Sequence, residues 1–443
     1  MRLTNRHPIM PLCSAFAAAL CQPTIAAILC VNQGGSSGCF SHINAAISAA
    51  SANDTIKVAA GRYAEDVIIT KSLSLIGAGR NVTRVDARKL PNGVYIDGID
   101  HPGLSSVVVS GFTVENANFE GILIANASAV TVRNNLVTGN DKSLNPSAGT
   151  CPGQPPFETA EGFDCGEGIH LSGVDHSIIA DNLVQENAGG ILITDDTGAT
   201  HDNLITGNVV RNNPFDCGIT LASHVPASLT GSKTPLGVFH NTISGNESSR
   251  NGLDEEGAGA GVGIFDSAPG TMNFGNVVVN NRLTGNGLPG VAMHGHTPNQ
   301  NLNDNVIAGN YIARNGADTE DAFTPGSTGI NVFGVSPITG TIISHNVIDH
   351  EAVEVAVNTP SEVQIHLNNF IDDTLGVDNL GAGTVNATEN WWGCPGGPGA
   401  EECASAGGPG IVFTPWLRRP LKNVPSANSF AALADADTEQ GDQ

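Results

Sequence analysis

Acidic and imidazole side chains recur at one position of a repeated phrase, which makes them the first candidates for chemistry. The phrase is a glycine followed by alternating apolar residues, and shortly after that glycine the chain carries the pairs Asp195-Asp196, Ser223-His224, Asp266-Ser267 and Gly295-His296. Histidine can take up or return a proton near neutral pH, and paired carboxylates can divide acid and base roles at a glycosidic bond. The same donors suit a divalent cation, Ca²⁺ or copper. Asp and His are also common in turns, so the alternative is a row of solvated turn residues.

The alternation of the strand side chains extends this candidate site. The second and fourth residues of each phrase are apolar and should point inward, so the third and fifth should point outward. The predicted catalytic residues are Asp195, Asp196, His224, Asp266, His294, His296 and His170. The candidate metal ligands among them are Asp196, His224, Asp266 and His296. The predicted substrate-binding residues are Tyr95, Glu167, Phe265, Asn331 and Phe333.

The repetition of the phrase predicts the architecture. Copies begin at Gly93, Gly121, Gly168, Gly190, Gly218, Gly261, Gly290 and Gly329, and a glycine-free copy begins at Val353. Between them lies a second phrase that ends in Gly-Asn or Asn-Asn and predicts a turn with stacked amides. Each coil is too small to bury its own apolar side chains, so such repeats stack into a β-solenoid with a continuous core. Equivalent residues of stacked coils lie about 4.8 Å apart, which would align the candidate residues along the axis.

Three coils exceed the basic period, and their extra residues are predicted at 140–167, 247–260 and 315–328. Because all three would precede the next glycine-anchored strand, we expect them to form the walls of a groove beside the candidate site. Long loops in a compact repeat are usually functional or disordered. If the turn residues prove to be solvated, the next candidates are the acidic residues of the first insertion, which are Glu158, Glu161, Asp164 and Glu167.

The two ends of the chain differ in composition from the repeat. A short basic start, an apolar run and the small residues Thr24 and Ala26 before a cleavage site are typical of a secretory signal peptide, which predicts a secreted or periplasmic protein. Apolar spacing from Cys39 to Ala50 predicts an amphipathic helix that caps the solenoid. The predicted organisation is a signal peptide at 1–26, a cap with the first coils at 27–92, coils at 93–390, a closure at 391–424 and a disordered acidic tail at 425–443.

The charge balance excludes one class of partner. The chain has 19 Lys and Arg against 43 Asp and Glu, a net charge of −24. A nucleic-acid-binding protein needs a basic surface, so we predict no such partner. A highly anionic polymer is also disfavoured unless cations bridge it. No apolar run is long enough to predict a membrane span.

Seven cysteines follow the predicted signal peptide. An exported chain can form disulfides, and three pairs are close in sequence: Cys30 with Cys39, Cys151 with Cys165, and Cys394 with Cys403. Cys217 is the odd residue. It is either free or replaces one partner of the middle pair.

Several motifs together resemble the right-handed parallel β-helix superfamily over residues 40–420. These are the segments 54–63 and 75–79, the Gly-Ile-x-Ile coils and the closing Asn390-Trp-Trp-Gly393. The resemblance implies an all-β fold, a right-handed single-stranded parallel β-helix with an N-terminal capping helix. The superfamily holds pectate-lyase-like and sugar-hydrolysing proteins, and periplasmic NosD-type proteins linked to copper-site maturation.

The resemblance specifies the fold more strongly than the function. Asp195-Asp196 resembles one polygalacturonase motif and His294-Gly-His296 loosely resembles another, but the remaining motifs are absent. The basic proton abstractor of pectate lyases and the Asp-Pro-His signature of alginate epimerases are absent as well. Our interpretation is a protein that acts on or binds a carbohydrate polymer, as a lyase, hydrolase or epimerase. The alternatives are a non-catalytic NosD-type binding or metal-handling protein and a structural adhesin.

Overall fold

The computed structural model describes residues 26–158, 165–225, 234–254, 258–319, 323–371, 375–422 and 424–426. Within these residues the chain is a right-handed parallel β-helix, in which three long sheets run along the axis and each coil adds one strand to each sheet. The predicted signal peptide up to residue 25, Glu161, Asp164 and the predicted acidic tail beyond residue 426 lie outside the described residues.

Sheet 1 carries the glycine-anchored phrase, and sheets 2 and 3 follow it in each coil. Sheet 1 contains Val67–Ile69, Val94–Asp97, Ile122–Ala125, Ile169–Ser172, Ile191–Thr194, Ile219–Ser223, Val262–Asp266, Val291–Gly295, Thr328–Gly334, Val353–Asn358, Leu375–Asn379 and Ser405–Gly407. Sheet 2 contains Ile28–Val31, Asp54–Val58, Leu73–Gly77, Val108–Ser110, Thr131–Arg133, Ile178–Ala180, Leu204–Thr206, Thr242–Ser244, Val277–Val279, Val306–Ala308, Ile342–Ser344, Val363–His366, Val385–Asn386 and Ile411–Val412. Sheet 3 contains Gly61–Tyr63, Thr83–Asp86, Thr113–Glu115, Leu136–Thr138, Leu183–Gln185, Val209–Arg211, Glu247–Ser249, Arg282–Thr284, Tyr311–Ala313, Val347–Asp349, Asn369–Phe370 and Trp391–Trp392. A short sheet 4 contains Thr200–His201, Val238–Phe239 and Asn273–Phe274.

The inward positions of sheet 1 form the central core, as the alternation predicted. Ile122 pairs with Ile169, which pairs with Ile191, so equivalent side chains stack along the axis. The predicted inward set is fully buried in one cluster: Ile122, Ile124, Ile169, Leu171, Ile191, Ile193, Ile219 and Leu221. Each such side chain contributes roughly 1.5–3 kcal/mol through removal of apolar surface from water.

A capping helix covers the N-terminal end. It spans Ile43–Ala49 and buries Ile43, Ala46 and Ile47. The carboxylate of Glu65 accepts hydrogen bonds from the backbone N–H groups of Ile43 and Asn44, which satisfies the first turn. The helix begins later than predicted because Phe40 forms a β-bridge with Val31 instead. No helix in the described part of the chain is long and apolar enough to cross a membrane.

Buried asparagine side chains connect the coils at the turns. The Nδ2 of each donates to the Oδ1 of the next, for example from Asn208 to Asn246 at 3.0 Å. One such ladder contains Asn135, Asn182, Asn208, Asn246, Asn281, Asn310, Asn346, Asn368 and Asn390. A second contains Asn140, Asn187, Asn213, Asn251, Asn286 and Asn315 and ends on the carboxylate of Glu351. The left-handed residue is the one before the ladder residue, as at Asn134 with φ 54°.

Two predicted boundaries are wrong. The second insertion does not begin at 247, because Glu247–Ser249 is a regular strand of sheet 3. That coil also has a connection between Ser223 and Val238, part of which lies outside the described residues, and a spacing between glycines cannot show which turn holds the extra residues. The predicted closure contains a further coil, because its strands Trp391–Trp392, Ser405–Gly407 and Ile411–Val412 extend all three sheets.

The three predicted disulfides are present, between Cys30 and Cys39, Cys151 and Cys165, and Cys394 and Cys403. The last pair has its Cα atoms 5.1 Å apart, within the range that a disulfide allows. Cys217 is buried and forms no disulfide within the described residues.

Candidate functional site

The outer face of sheet 1 is largely buried, whereas the sequence predicted a groove walled by the three insertions. Leu123 and Leu192 are fully buried, although neither belongs to the central core, so they point outward under a cover. The three predicted insertions all reach this face. They do so through Glu158 beside His170, Ala260 against Ala292 and Phe265, and Asp318 against His294.

Strand alternation divides the candidate turn residues into two sets. Ser223 pairs with Asp266, and Asp266 pairs with Gly295, so Asp266 occupies the same register as Asp195. Asp196, His224 and His296 occupy the next register position. We expected Asp196 and Asp266 on one face from the sequence. They lie one register position apart, and successive residues of a strand point to opposite faces.

A chain of hydrogen bonds joins outward-pointing residues of three successive coils. His170 Nε2 is 3.0 Å from Thr194 Oγ1, and Thr194 Oγ1 donates to Asp196 Oδ2 at 2.9 Å. Asp196 Oδ1 lies 3.0 Å from His224 Nδ1. A hydroxyl has one proton, which Thr194 gives to Asp196, so Nε2 of His170 must be the donor in its own bond. The tautomer of His170 is thereby fixed, with its proton on Nε2.

The opposite nitrogen of His170 faces two glutamates. Nδ1 is 3.8 Å from Glu120 Oε1 and has no hydrogen-bond partner in the described residues. Glu120, Glu158 and His170 are all buried, and each offers a ligand atom within 4.8 Å of the others. Burial, followed by the charge of Glu120, raises the pKa of Glu158 to about 8. Burial lowers the pKa of His170, but Glu120, Glu158 and Asp196 outweigh that effect and raise it.

Asp196 is the ionised carboxylate of this network. Burial raises its pKa, but the charge and hydrogen bond of His224 outweigh the burial and hold the pKa below its usual value. A buried carboxylate and imidazole side by side therefore form an ion pair in the interior of the outer layer.

The inward set consists of Asp195 and Asp266, which lie at the ends of their strands. Asp195 accepts hydrogen bonds from the backbone N–H groups of His224, Leu236 and Gly237, which anchors the long connection after Ser223. Asp266 is 1% exposed, and neither of its carboxylate oxygens accepts a hydrogen bond within the described residues. Burial, followed by the charge of Asp195, raises the pKa of Asp266 well above its usual value. The Asp266 carboxyl, whose pKa is raised, thus lies on the inner side of the turn, apart from the Glu120 cluster.

The remaining predicted residues form a second group further along sheet 1. His294 Nε2 is 2.9 Å from Asp318 Oδ2 and 3.0 Å from the side-chain nitrogen of Asn331. The ring centroid of His294 is 5.1 Å from Phe265 and 5.4 Å from His296, and that of His296 is 5.5 Å from Phe333. His296 is exposed, whereas Phe265 and Phe333 are half-buried.

Tyr95 and Glu167 lie outside both groups. The hydroxyl of Tyr95 donates to Asp97 at 3.0 Å, and Tyr95 is half-buried two coils before His170. Glu167 is buried against Gly189, where an added Cβ would lie 2.3 Å from Glu167 Oε1.

Glu120 and Thr194 were not predicted as site residues. A signal for Glu120 exists, because glutamate directly precedes the recurring glycine at both Gly121 and Gly168. Thr194 is the fifth residue of its phrase and was expected to point outward. Nothing in the sequence indicates that its hydroxyl joins two buried groups.

The fold and the parallel sheets define a right-handed parallel β-helix protein, and solved structures of that class resemble this chain. DFA-IIIase from Arthrobacter chlorophenolicus A6 in complex with GF2 matches with a TM-score of 0.50 and 15% identity, over 84% of this chain and 89% of that one. The A-module of mannuronan C-5 epimerase AlgE4 from Azotobacter vinelandii matches with a TM-score of 0.41 and 15% identity, over 84% and 94%. Alginate lyase from Paenibacillus sp. str. FPU-7 matches with a TM-score of 0.39 and 15% identity, over 82% and 95%. At 15% identity the likeness to DFA-IIIase concerns the fold alone.

The family is shown by sequence. The family described as periplasmic copper-binding protein (NosD) matches residues 33–228 and 158–396, two overlapping matches that together span most of the chain. The chain belongs to the NosD family. No curated protein matches it in sequence.

Proposed function

We propose that this protein binds a copper ion, in the periplasm or outside the cell, at the cluster of Glu120, Glu158 and His170. The observation that carries the proposal is enclosure: three potential ligand atoms lie within 4.8 Å of one another on buried side chains. Burying carboxylates is costly unless a positive charge or hydrogen bonds compensate them, and a bound cation supplies that charge.

The state of His170 supports the proposal. A metal-binding imidazole uses one nitrogen for the ion and donates from the other to a fixed partner. Here Nε2 donates to Thr194, and Nδ1 is directed towards Glu120. The chain from Thr194 through Asp196 to His224 therefore positions the ring, and these three residues are positioning residues rather than ligands.

The donor set favours one oxidation state. One imidazole nitrogen and carboxylate oxygens suit Cu(II), whereas Cu(I) prefers sulfur ligands. The free thiol of Cys217 belongs to a different cluster, with Ala260, Leu288 and Ala292, and would not contribute. The copper-binding description of the NosD family supports the same ion. A copper ion at this position would offset the charge of Glu120, which contributes to the raised pKa of Glu158.

The test compares two buried glutamates that occupy the same place in the repeat. Glu120 and Glu167 both precede the recurring glycine and both are essentially unexposed, but Glu120 faces His170 whereas Glu167 lies against Gly189. Purified, chelator-treated protein is titrated with Cu(II) by calorimetry. We expect Glu120→Gln to weaken binding at the buried site at least about tenfold and Glu167→Gln to leave it within about twofold. Equal affinities in both variants would contradict the proposal.

A second candidate function is carbohydrate binding at the ring group of Phe265, His294, His296 and Phe333. The specific observation is a patch of half-buried rings and one exposed imidazole above the polar side chains of Asn331 and Asp318. Sites lined by aromatic side chains with a few placed polar groups are typical of small-molecule and sugar binding.

This second candidate is tested with a panel of polysaccharides and oligosaccharides, following binding, unsaturated products and new reducing ends. We expect Phe333→Ala to lose binding and Phe274→Ala, a half-buried phenylalanine on sheet 4, to keep it. Absence of binding and turnover across the panel would eliminate this candidate and leave the copper proposal unaffected.

A further inference from the structure

Sheet 4 carries a stack of one histidine and two phenylalanine rings that lies outside both groups described above. Its strands stack the ring of His201 on Phe239 at 4.9 Å and that of Phe239 on Phe274 at 5.1 Å, with interplanar angles of 7° and 12°. The stack holds His201 in one orientation. The ring of His176 on the preceding coil stands at 80° to that of His201, with centroids 6.0 Å apart.

Each of these two histidines is held by its own aspartate. His176 Nδ1 is 2.7 Å from Asp175 Oδ1, and His201 Nδ1 is 2.8 Å from Asp202 Oδ2. A carboxylate can only accept, so Nδ1 of His176 carries the proton and Nε2 of that ring retains its lone pair for an ion. At His201 the ion would take the place of the proton between Nδ1 and Asp202 and would be bound by both atoms. Histidines that bind metals are commonly oriented by a carboxylate on the other ring nitrogen.

The geometry points to a second metal site, in which His176, His201 and Asp202 bind a divalent transition-metal ion at the protein surface. Each of the three residues offers a ligand atom, and these atoms lie within 4.8 Å of one another. Two imidazoles and one carboxylate form a set that suits Zn(II), Ni(II) and Cu(II), with further positions open to water. His176 and Asp202 are 66% and 45% exposed, so an ion can enter this site directly from solvent.

This site is independent of the proposed copper site. The buried cluster supplies one imidazole and two carboxylates beneath the first insertion, whereas the surface site supplies two imidazoles beside sheet 4. The chain would then hold an enclosed ion and an exchangeable one, and the two can be measured separately.

The experiment uses Zn(II) as the probe and the full chain carrying Glu120→Gln, which weakens the buried site. We expect this protein to bind one Zn(II) by calorimetry, and the further change His176→Asn to weaken that binding at least about tenfold. Asn tolerates the left-handed backbone of His176, which has φ 50°. The matched control is His350→Asn, because His350 also has a left-handed φ of 57° and an adjacent aspartate at 2.6 Å.

The outcomes distinguish the two sites. Zn(II) binding that survives His350→Asn and is lost with both His176→Asn and Asp202→Asn supports the surface site. Binding that is unchanged by His176→Asn, or no Zn(II) binding in the Glu120→Gln protein, overturns it. Loss of one of two Cu(II) sites in Glu120→Gln, with Zn(II) binding retained, supports the buried site as well.

Discussion

Asp196 and His224 form an ion pair on adjacent coils, with 3.0 Å between Asp196 Oδ1 and His224 Nδ1. Their side chains are 1% and 2% exposed, so the pair is enclosed rather than solvated. A solvated turn histidine could be removed at little cost. An enclosed one compensates a buried charge, which makes His224 part of the stability of the outer layer.

We predict that His224→Ala destabilises the protein by about 3–5 kcal/mol, because it leaves the Asp196 carboxylate buried without its partner. The free energy of unfolding in urea measures the effect. His296→Ala is the control, since His296 occupies the equivalent register position but is exposed, and its cost should stay within about 0.5 kcal/mol. Equal stability of the two variants would show that the Asp196 pair contributes nothing.

Thr194 should control copper affinity without contacting the ion. Thr194→Val keeps the shape of the side chain but removes the acceptor for His170 Nε2, so we expect Cu(II) affinity to fall about tenfold to hundredfold. Thr194→Ser retains the hydroxyl and should restore the affinity. Electron paramagnetic resonance of the bound Cu(II) should also change in the valine variant, because the imidazole ring loses its fixed orientation. Native affinity and an unchanged spectrum in the valine variant would show that Thr194 does not position His170.

The asparagine ladders should be major contributors to stability. Asn208 accepts hydrogen bonds from the backbone and side chain of Asn182 and donates to Ile179 and Asn246. Asn208→Ala leaves several buried groups unpaired, and we expect a loss of about 2–4 kcal/mol. Asn134→Gly, at an exposed left-handed position, should change the free energy of unfolding by less than about 0.5 kcal/mol. A small loss at Asn208 would mean that water replaces the ladder bonds.

The stability of the protein should depend on pH through Glu351, the glutamate at the end of the second asparagine ladder. Burial raises the pKa of Glu351 from 4.5 to about 7, against the opposing hydrogen bonds of Asn315. The folded state therefore holds a proton that the unfolded chain has lost between about pH 4.5 and pH 7, so this group makes stability fall as pH rises through that window. The shift corresponds to a loss of about 3 kcal/mol at most.

Glu351→Gln should remove this dependence. The variant's melting temperature should exceed that of the native protein by a margin that grows from pH 5 to pH 8. Glu362→Gln, at an exposed position, is the control for loss of one acidic charge. A constant difference between Glu351→Gln and native protein across that range would show that Glu351 does not titrate as described.

The repeat and its inner face could be predicted from sequence because they depend on local rules. The glycine-anchored alternation gave the register of Ile191 correctly, since a one-residue slip would move every apolar side chain to the wrong face. The strands Val67–Ile69 and Leu375–Asn379 fall within the predicted coils, but they were not identified as copies of the phrase because no glycine marks its start in them.

The site was harder to predict because its groups come from different coils and from an insertion. Asp196 and His224 share an offset from the glycine, and they do meet. Asp266 was grouped with them although its register position belongs to the opposite face. Glu120 and Glu158 become neighbours only through the fold of the first insertion, and no spacing in the sequence shows where an insertion lies over a sheet.

The most direct test of the central claim is a crystal structure of copper-loaded protein, with diffraction measured on both sides of the copper absorption edge. We expect an anomalous peak between Glu120, Glu158 and His170, with His170 Nδ1 directed at it. A separate peak at His176 and His201 is compatible with that result and belongs to the surface site. Full copper loading with no peak at the buried cluster would contradict the account.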